Sequence, residues 1–111
     1  MAETEVRIAR TESLFRNVNE RIAESAQRIE SEDAAFVCEC HDADCTERVE
    51  APIGVYEDVR SDATQFLLAP GHEDGRVERV VAERPRYEIV RKVHRIVVAH
   101  VRRLDPRAGT A

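Results

Sequence analysis

Aromatic residues are scarce in this chain. Its 111 residues include three Phe, two Tyr and no Trp, with a single Met, so a core has to be assembled mainly from Val, Ile, Leu and Ala, and stacking against bases or rings has few side chains to draw on. Apolar runs are short as well. None approaches the ~20 residues of a membrane-spanning helix, and the first 30 residues mix acids with arginines throughout instead of forming the apolar centre of a secretory signal. The expectation is a soluble, cytoplasmic protein with no membrane contact. A Gly-rich phosphate loop is missing, and no Ser/His/Asp spacing stands out. Neighbouring acids such as Glu57 and Asp58, or Glu73 and Asp74, are expected by chance among 22 acids and read as solvated surface. The chain is therefore read as not an enzyme.

Lysine is nearly absent too: 16 of the 17 basic residues are Arg. That bias most simply reflects a G+C-rich genome, and it points to a bacterial source, not to a mechanism. The charges are unevenly placed. Residues 91–107 carry six bases against one acid, a local +5, so the remainder of this −5 chain stands at −10.

Three cysteines are present, and all lie within eight residues, in Cys38-Glu39-Cys40-His41-Asp42-Ala43-Asp44-Cys45. Thiolates bunched this closely repel one another unless a cation or a bond compensates them. An odd number cannot pair completely within one chain, and in a reducing compartment close thiols serve metal binding or catalysis more often than disulfides. On an extended strand Cys38 and Cys40 project to the same side, and the four intervening residues return Cys45 to the same point. Three sulfurs thus converge from one hairpin tip, and a closed zinc site needs a fourth ligand. His41 adjoins Cys40 and tends to point the other way. His72, in the Gly-flanked loop Pro70-Gly71-His72-Glu73-Asp74-Gly75, can fold back and is the favoured choice. The expected site is a structural zinc held by Cys38, Cys40, Cys45 and His72, with Arg48 or backbone N–H groups offsetting its net charge.

Around that site the pattern predicts an α+β fold. Leu14, Phe15, Val18, Ile22, Ala26 and Ile29 recur at helical spacing, with Arg16, Asn17, Glu20, Arg21, Glu24 and Arg28 on the other faces, giving an amphipathic helix over roughly 12–30 with Thr11 as N-cap, or one reaching back to Thr4. Residues 34–38 and 46–50 read as a hairpin straddling the cysteines in the manner of a zinc knuckle. A short helix follows Pro52, then a buried strand at 66–69. Residues 77–83 and 86–92 read as a second hairpin, with a helix over 75–83 as the rival. Residues 93–104 fit helix and strand equally. The domain is placed at 1–92, an N-terminal helix packed on a small, mostly antiparallel sheet, with 93–111 as a basic C-terminal extension.

The combination Phe36-x-Cys38-Glu39-Cys40, Asp44-Cys45-x-x-Arg48, Tyr56-Glu57-x-Val59-Arg60 and Pro70-Gly71-His72-Glu73 resembles a group of short, mostly actinobacterial proteins without an assigned function. Glu78-Arg79-Val80-Val81 and the helix containing Phe15-Arg16-Asn17-Val18 look like parts of it, so the likeness covers about residues 14–92. It implies the same four ligands and brings no activity with it.

For function, the reading is a non-enzymatic protein-interaction or regulatory module with an unknown protein partner or a second copy of itself. The alternative is nucleic-acid binding through the basic segment.

Overall fold

The computed structural model describes residues 2–108. Three helices and five strands follow the order α1 (Ala2–Arg28), β1 (Asp33–Val37), β2 (Arg48–Pro52), α2 (Ile53–Arg60), β3 (Gln65–Leu68), β4 (Glu78–Glu83), β5 (Glu88–Lys92) and α3 (Arg95–Arg103). The fold is α+β, a long N-terminal helix packed with two small antiparallel sheets, one ordered β1-β2 and the other β3-β5-β4. No helix among the described residues is long and apolar enough to cross a membrane.

α1 runs through Thr11, which is therefore an interior residue and not the N-cap expected for it. The helix stops where Glu30 takes φ 57°. The Ser31 amide donates to Ala26 O at 2.9 Å and the Glu30 amide to Gln27 O at 3.0 Å, the paired bonds of a Schellman stop.

The buried face of α1 differs from the one its apolar spacing suggests. Ile8, Ala9, Glu12, Ser13, Arg16, Asn19, Ala23 and Ala26 face inward, whereas Leu14 is 63% exposed, Val18 40% and Ile29 77%. Polar groups are stable inside when bonded, and Glu12, Arg16 and Asn19 have polar partners, whereas Ser13 Oγ and Arg16 Nε have none among the described residues. Arg16 donates to Ala63 O at 2.7 Å and to Val101 O at 2.8 Å, with its guanidinium 4.6 Å from the centre of the Phe66 ring. Asn19 pairs with both the amide and the carbonyl of Val37 at 2.8 Å. Lys92 lies buried between Glu12, 2.6 Å away, and Glu78.

The two hairpins form where the alternating pattern places them. β1 pairs β2 with Phe36 opposite Val49, and β4 pairs β5 with a bulge between Val80 and Ala82, so residues 78–83 are strand and not helix. Phe66, Leu67 and Leu68 on β3 are all fully buried. The sheets meet where the Glu39 amide donates to Leu67 O at 2.9 Å. α2 buries Tyr56, whose ring stacks on Phe36 at 4.6 Å.

The C-terminal residues adopt the helical alternative. His94 Nδ1 accepts the Ile96 amide at 3.2 Å as a cap for α3, and Val97 and Val101 enter the same apolar cluster as Phe36, Tyr56 and Phe66. Beyond α3, Arg60 pairs with Asp105, and Arg107 bonds Glu20 at 2.7 and 2.8 Å and Glu57 at 3.0 and 3.1 Å. Residues 93–108 thus share the core of the preceding residues.

Candidate metal centre

Cys38 follows directly from the end of β1, held in register by its amide, which donates to Glu47 O at 3.1 Å. Extended backbone sends Cys38 and Cys40 to one side and Glu39 to the other. Both sulfurs are buried, and so is Glu39, which is fully enclosed and accepts Asn19 Nδ2 at 2.7 Å and the Leu67 amide at 2.9 Å. Burial raises the Glu39 carboxyl to about 7 despite those donors. Glu39 thus ties the cysteine loop to both α1 and β3. Sequence reasoning missed it, although the same alternation that aligns the two sulfurs turns the residue between them toward the helix.

Cys45 is brought back by a turn. Its amide donates to Asp42 O at 3.0 Å while Asp42 Oδ1 accepts the Asp44 amide at 2.9 Å, the local side-chain bonding that makes Asp a turn residue. His72 arrives on a second turn, Ala69-Pro70-Gly71-His72. Proline supplies the first central residue, Gly71 takes φ 83° at the second, and the His72 amide closes on Ala69 O at 3.2 Å, the chemistry of a type II turn. Gly71 is the one position here whose backbone a side chain would strain.

These two turns bring together the four residues singled out from the sequence. One ligand atom from each of Cys38, Cys40, Cys45 and His72 lies within 4.8 Å of every other. His72 Nδ1 is 3.6 Å from Cys38 Sγ and 3.7 Å from Cys45 Sγ. A tetrahedral zinc with bonds of about 2.3 Å to sulfur and about 2.0–2.1 Å to nitrogen sets an S···N edge of about 3.6 Å. Two of the three nitrogen–sulfur edges, those from His72 to Cys38 and Cys45, already have that length. An S···S edge of the same tetrahedron is about 3.8 Å, so even the widest pair has to close by no more than about an ångström, a shift that side-chain rotation covers.

Hydrogen bonding among the sulfurs and burial shift the three thiols in opposite directions. Cys40 is drawn down to about 4, chiefly by the hydrogen bond from Cys38, while that same bond and burial push Cys38 well up. Burial also raises Cys45. The Ala69 amide donates to Cys38 Sγ at 3.2 Å, so a backbone N–H takes the charge-offsetting role. Arg48 does not, because its guanidinium donates to Ala35 O at 2.6 Å on the exposed side of the hairpin.

His41 lies apart from the four. Its Nε2 is 3.5 Å from Asp74 Oδ2, and Asp74 is in turn gripped by Arg76 at 2.6 Å, the pairing that holds the Asp74 carboxyl low, at about 2.

The site is a Cys3His group able to hold a metal ion. Compared with known proteins, the chain matches no family model, no curated protein and no solved structure, so the chemistry of these four side chains carries the functional argument.

Proposed function

We propose that this chain is a small non-enzymatic protein of the bacterial cytoplasm, organised by a structural Cys3His zinc and acting as a protein-interaction or regulatory module, a member of the actinobacterial group whose residue pattern it resembles. The observation that carries the reading is the pair of S···N separations at His72, 3.6 and 3.7 Å, which fit zinc and its soft donor set. Four protein ligands complete zinc's tetrahedron and leave no open position for a substrate, which favours a structural role over a catalytic one. The ligands come from both sides of the domain, the hairpin loop at 38–45 and the turn at 69–72. Zinc there would fasten the two sheets together.

Metal removal tests this reading. Stripping zinc with a strong chelator should collapse the helical circular-dichroism signal and the thermal transition together, and adding zinc back should restore both. A fold that survives complete removal contradicts a structural role.

Nucleic-acid binding stays the second reading because Arg95, Arg102 and Arg103 are exposed on α3. Three of the six bases in that segment have other uses: Lys92 is buried between two glutamates, Arg107 is clamped by Glu20 and Glu57, and Arg91 lies 3.6 Å from Asp62. A gel shift that fades steeply with salt would support this reading over the protein-interaction one.

A further inference from the structure

On α1 charged and amide side chains share the inward face with Ile8, Ala9, Ala23 and Ala26, and a row of apolar side chains is left on an outward flank. At 100° per residue Leu14, Phe15, Val18, Ile22 and Ile29 fall on one stripe. Leu14, Val18 and Ile29 are exposed, and Phe15 and Ile22 are half-buried. Scattered exposed apolar residues are normal, but a row on one helix flank, here Leu14, Phe15, Val18 and Ile22 with Ile29 set off from them by Ser25, marks a contact surface. From Leu14 to Ile29 it runs about 22 Å at 1.5 Å per residue, about four turns.

The charges beside the stripe are polarised along it. Arg7 and Arg10 are exposed at its N-terminal end, and no carboxylate among the described residues lies within ion-pair distance of either. At the opposite end the exposed acids Glu30, Glu32 and Asp33 lack an ion-pair partner among the described residues and outnumber the one exposed base of the last turn, Arg28. Arg21 and Glu24 sit near the middle, both exposed. A strip with exposed arginines at one end, an excess of acid at the other and apolar side chains between them is complementary to itself turned end for end.

We propose that α1 forms the interface of an antiparallel homodimer, its two-fold axis passing near Ile22. Phe15 then packs on Ile29 of the second copy, Ile22 meets its own equivalent, Arg21 faces Glu24, and Arg10 reaches the acids at 30–33. A parallel pair would set arginine against arginine and acid against acid, so the charges select the orientation. Such a contact is isologous and closes at two copies. Another exposed apolar candidate, the edge strand β4 with Val81, carries a bulge and the flanking charges Arg79 and Glu83 that blunt edge pairing. This inference deepens the interaction-module reading by naming the partner as a second copy of this chain.

The test is the molar mass of the zinc-loaded, full-length protein by sedimentation equilibrium across a concentration series. The wild type should show a reversible monomer–dimer equilibrium, and Leu14→Asp with Val18→Asp should raise the dissociation constant by about 100-fold or more. Neither substitution removes core packing, and an unchanged circular-dichroism spectrum checks that the variant is folded. Arg10→Glu alone and Asp33→Arg alone should each weaken the dimer about threefold, while a mixture of the two should form a heterodimer more tightly than either self-associates.

A wild type that stays monomeric up to about 1 mM, where even a millimolar association would be half formed, overturns the proposal. So does a dimer that the stripe substitutions leave intact, or a monomer whose stripe instead binds vesicles of anionic lipid. Zinc content read on the same samples separates the two readings. A metal-free dimer would contradict the zinc site alone, and a zinc-bound monomer would contradict the dimer alone.

Discussion

Arg16 Nη2 donates to the carbonyl oxygen of Val101 at 2.8 Å, a bond that joins α1 to the last helix across 85 residues of sequence. The other terminal nitrogen reaches Ala63 O at 2.7 Å, and the guanidinium stacks on Phe66. Arg16 is fully buried. Its charge is tolerated there because carbonyl oxygens and a ring face replace water. Truncation to Ala removes the cation and leaves two buried carbonyls short of a donor, so Arg16→Ala should cost about 3–5 kcal/mol, measured by urea denaturation. Arg16→Lys should recover only part of this, because a single ammonium cannot span both carbonyls in the fork geometry.

Removal of residues 94–111 should destabilise the domain. Val97 and Val101 are fully buried in the main apolar cluster, each contributing roughly 1.5–3 kcal/mol by burial. Arg16, Arg60 and Glu20 would also lose partners. Differential scanning calorimetry should show a large drop in Tm. The four metal ligands all precede the cut, so whatever fraction stays folded should still bind zinc.

Glu12 supplies a pH-dependent contribution. Two buried acids, Glu12 and Glu78, share the single cation Lys92, and burial raises the Glu12 carboxyl to about 8. With a folded value above the unfolded one, the native state holds a proton that the unfolded state releases as pH climbs from about 4.5 to about 8. Stability therefore falls with rising pH across that window. Glu12→Gln carries no such proton. The wild type should lose ground relative to the zinc-loaded variant between pH 5 and pH 8, as read from paired denaturation curves, and a constant difference would place the titration elsewhere.

Helices and strands were legible where one period dominates, as in the α1 spacing and the two hairpins. The inward face of α1 was not. Placing Arg16 and Asn19 inside depends on Ala63, Val101, Val37 and Glu39, contacts 18 to 85 residues away, which helical periodicity does not register. The segment after Lys92 was ambiguous for a different reason: consecutive valines fit both periods, and the outcome rests on the His94 cap and on packing against α1. The metal cluster was readable because each of its two halves is local. Alternation aligns Cys38 with Cys40, Asp42 turns the chain to Cys45, and the Pro-Gly pair turns it to His72.

The two histidines should respond differently. His72→Ala removes the nitrogen that lies 3.6 Å from Cys38 Sγ, and it should weaken zinc binding by more than the ~10–100-fold that loss of an outer-shell partner costs. His41→Ala should leave affinity within that outer-shell range, since His41 faces Asp74. Competition with a chromophoric chelator reports both. Cys40→Ser should behave like His72→Ala.

The most direct measurement is the metal content of the protein purified under reducing conditions, by elemental analysis. About one zinc per chain is predicted, because three sulfurs and one imidazole nitrogen converge at the spacing zinc requires. Cobalt substituted into the site should show the absorption of tetrahedral, thiolate-rich coordination. Protein that is folded, reduced and free of any bound metal, and that takes up none when zinc is supplied, would contradict the account.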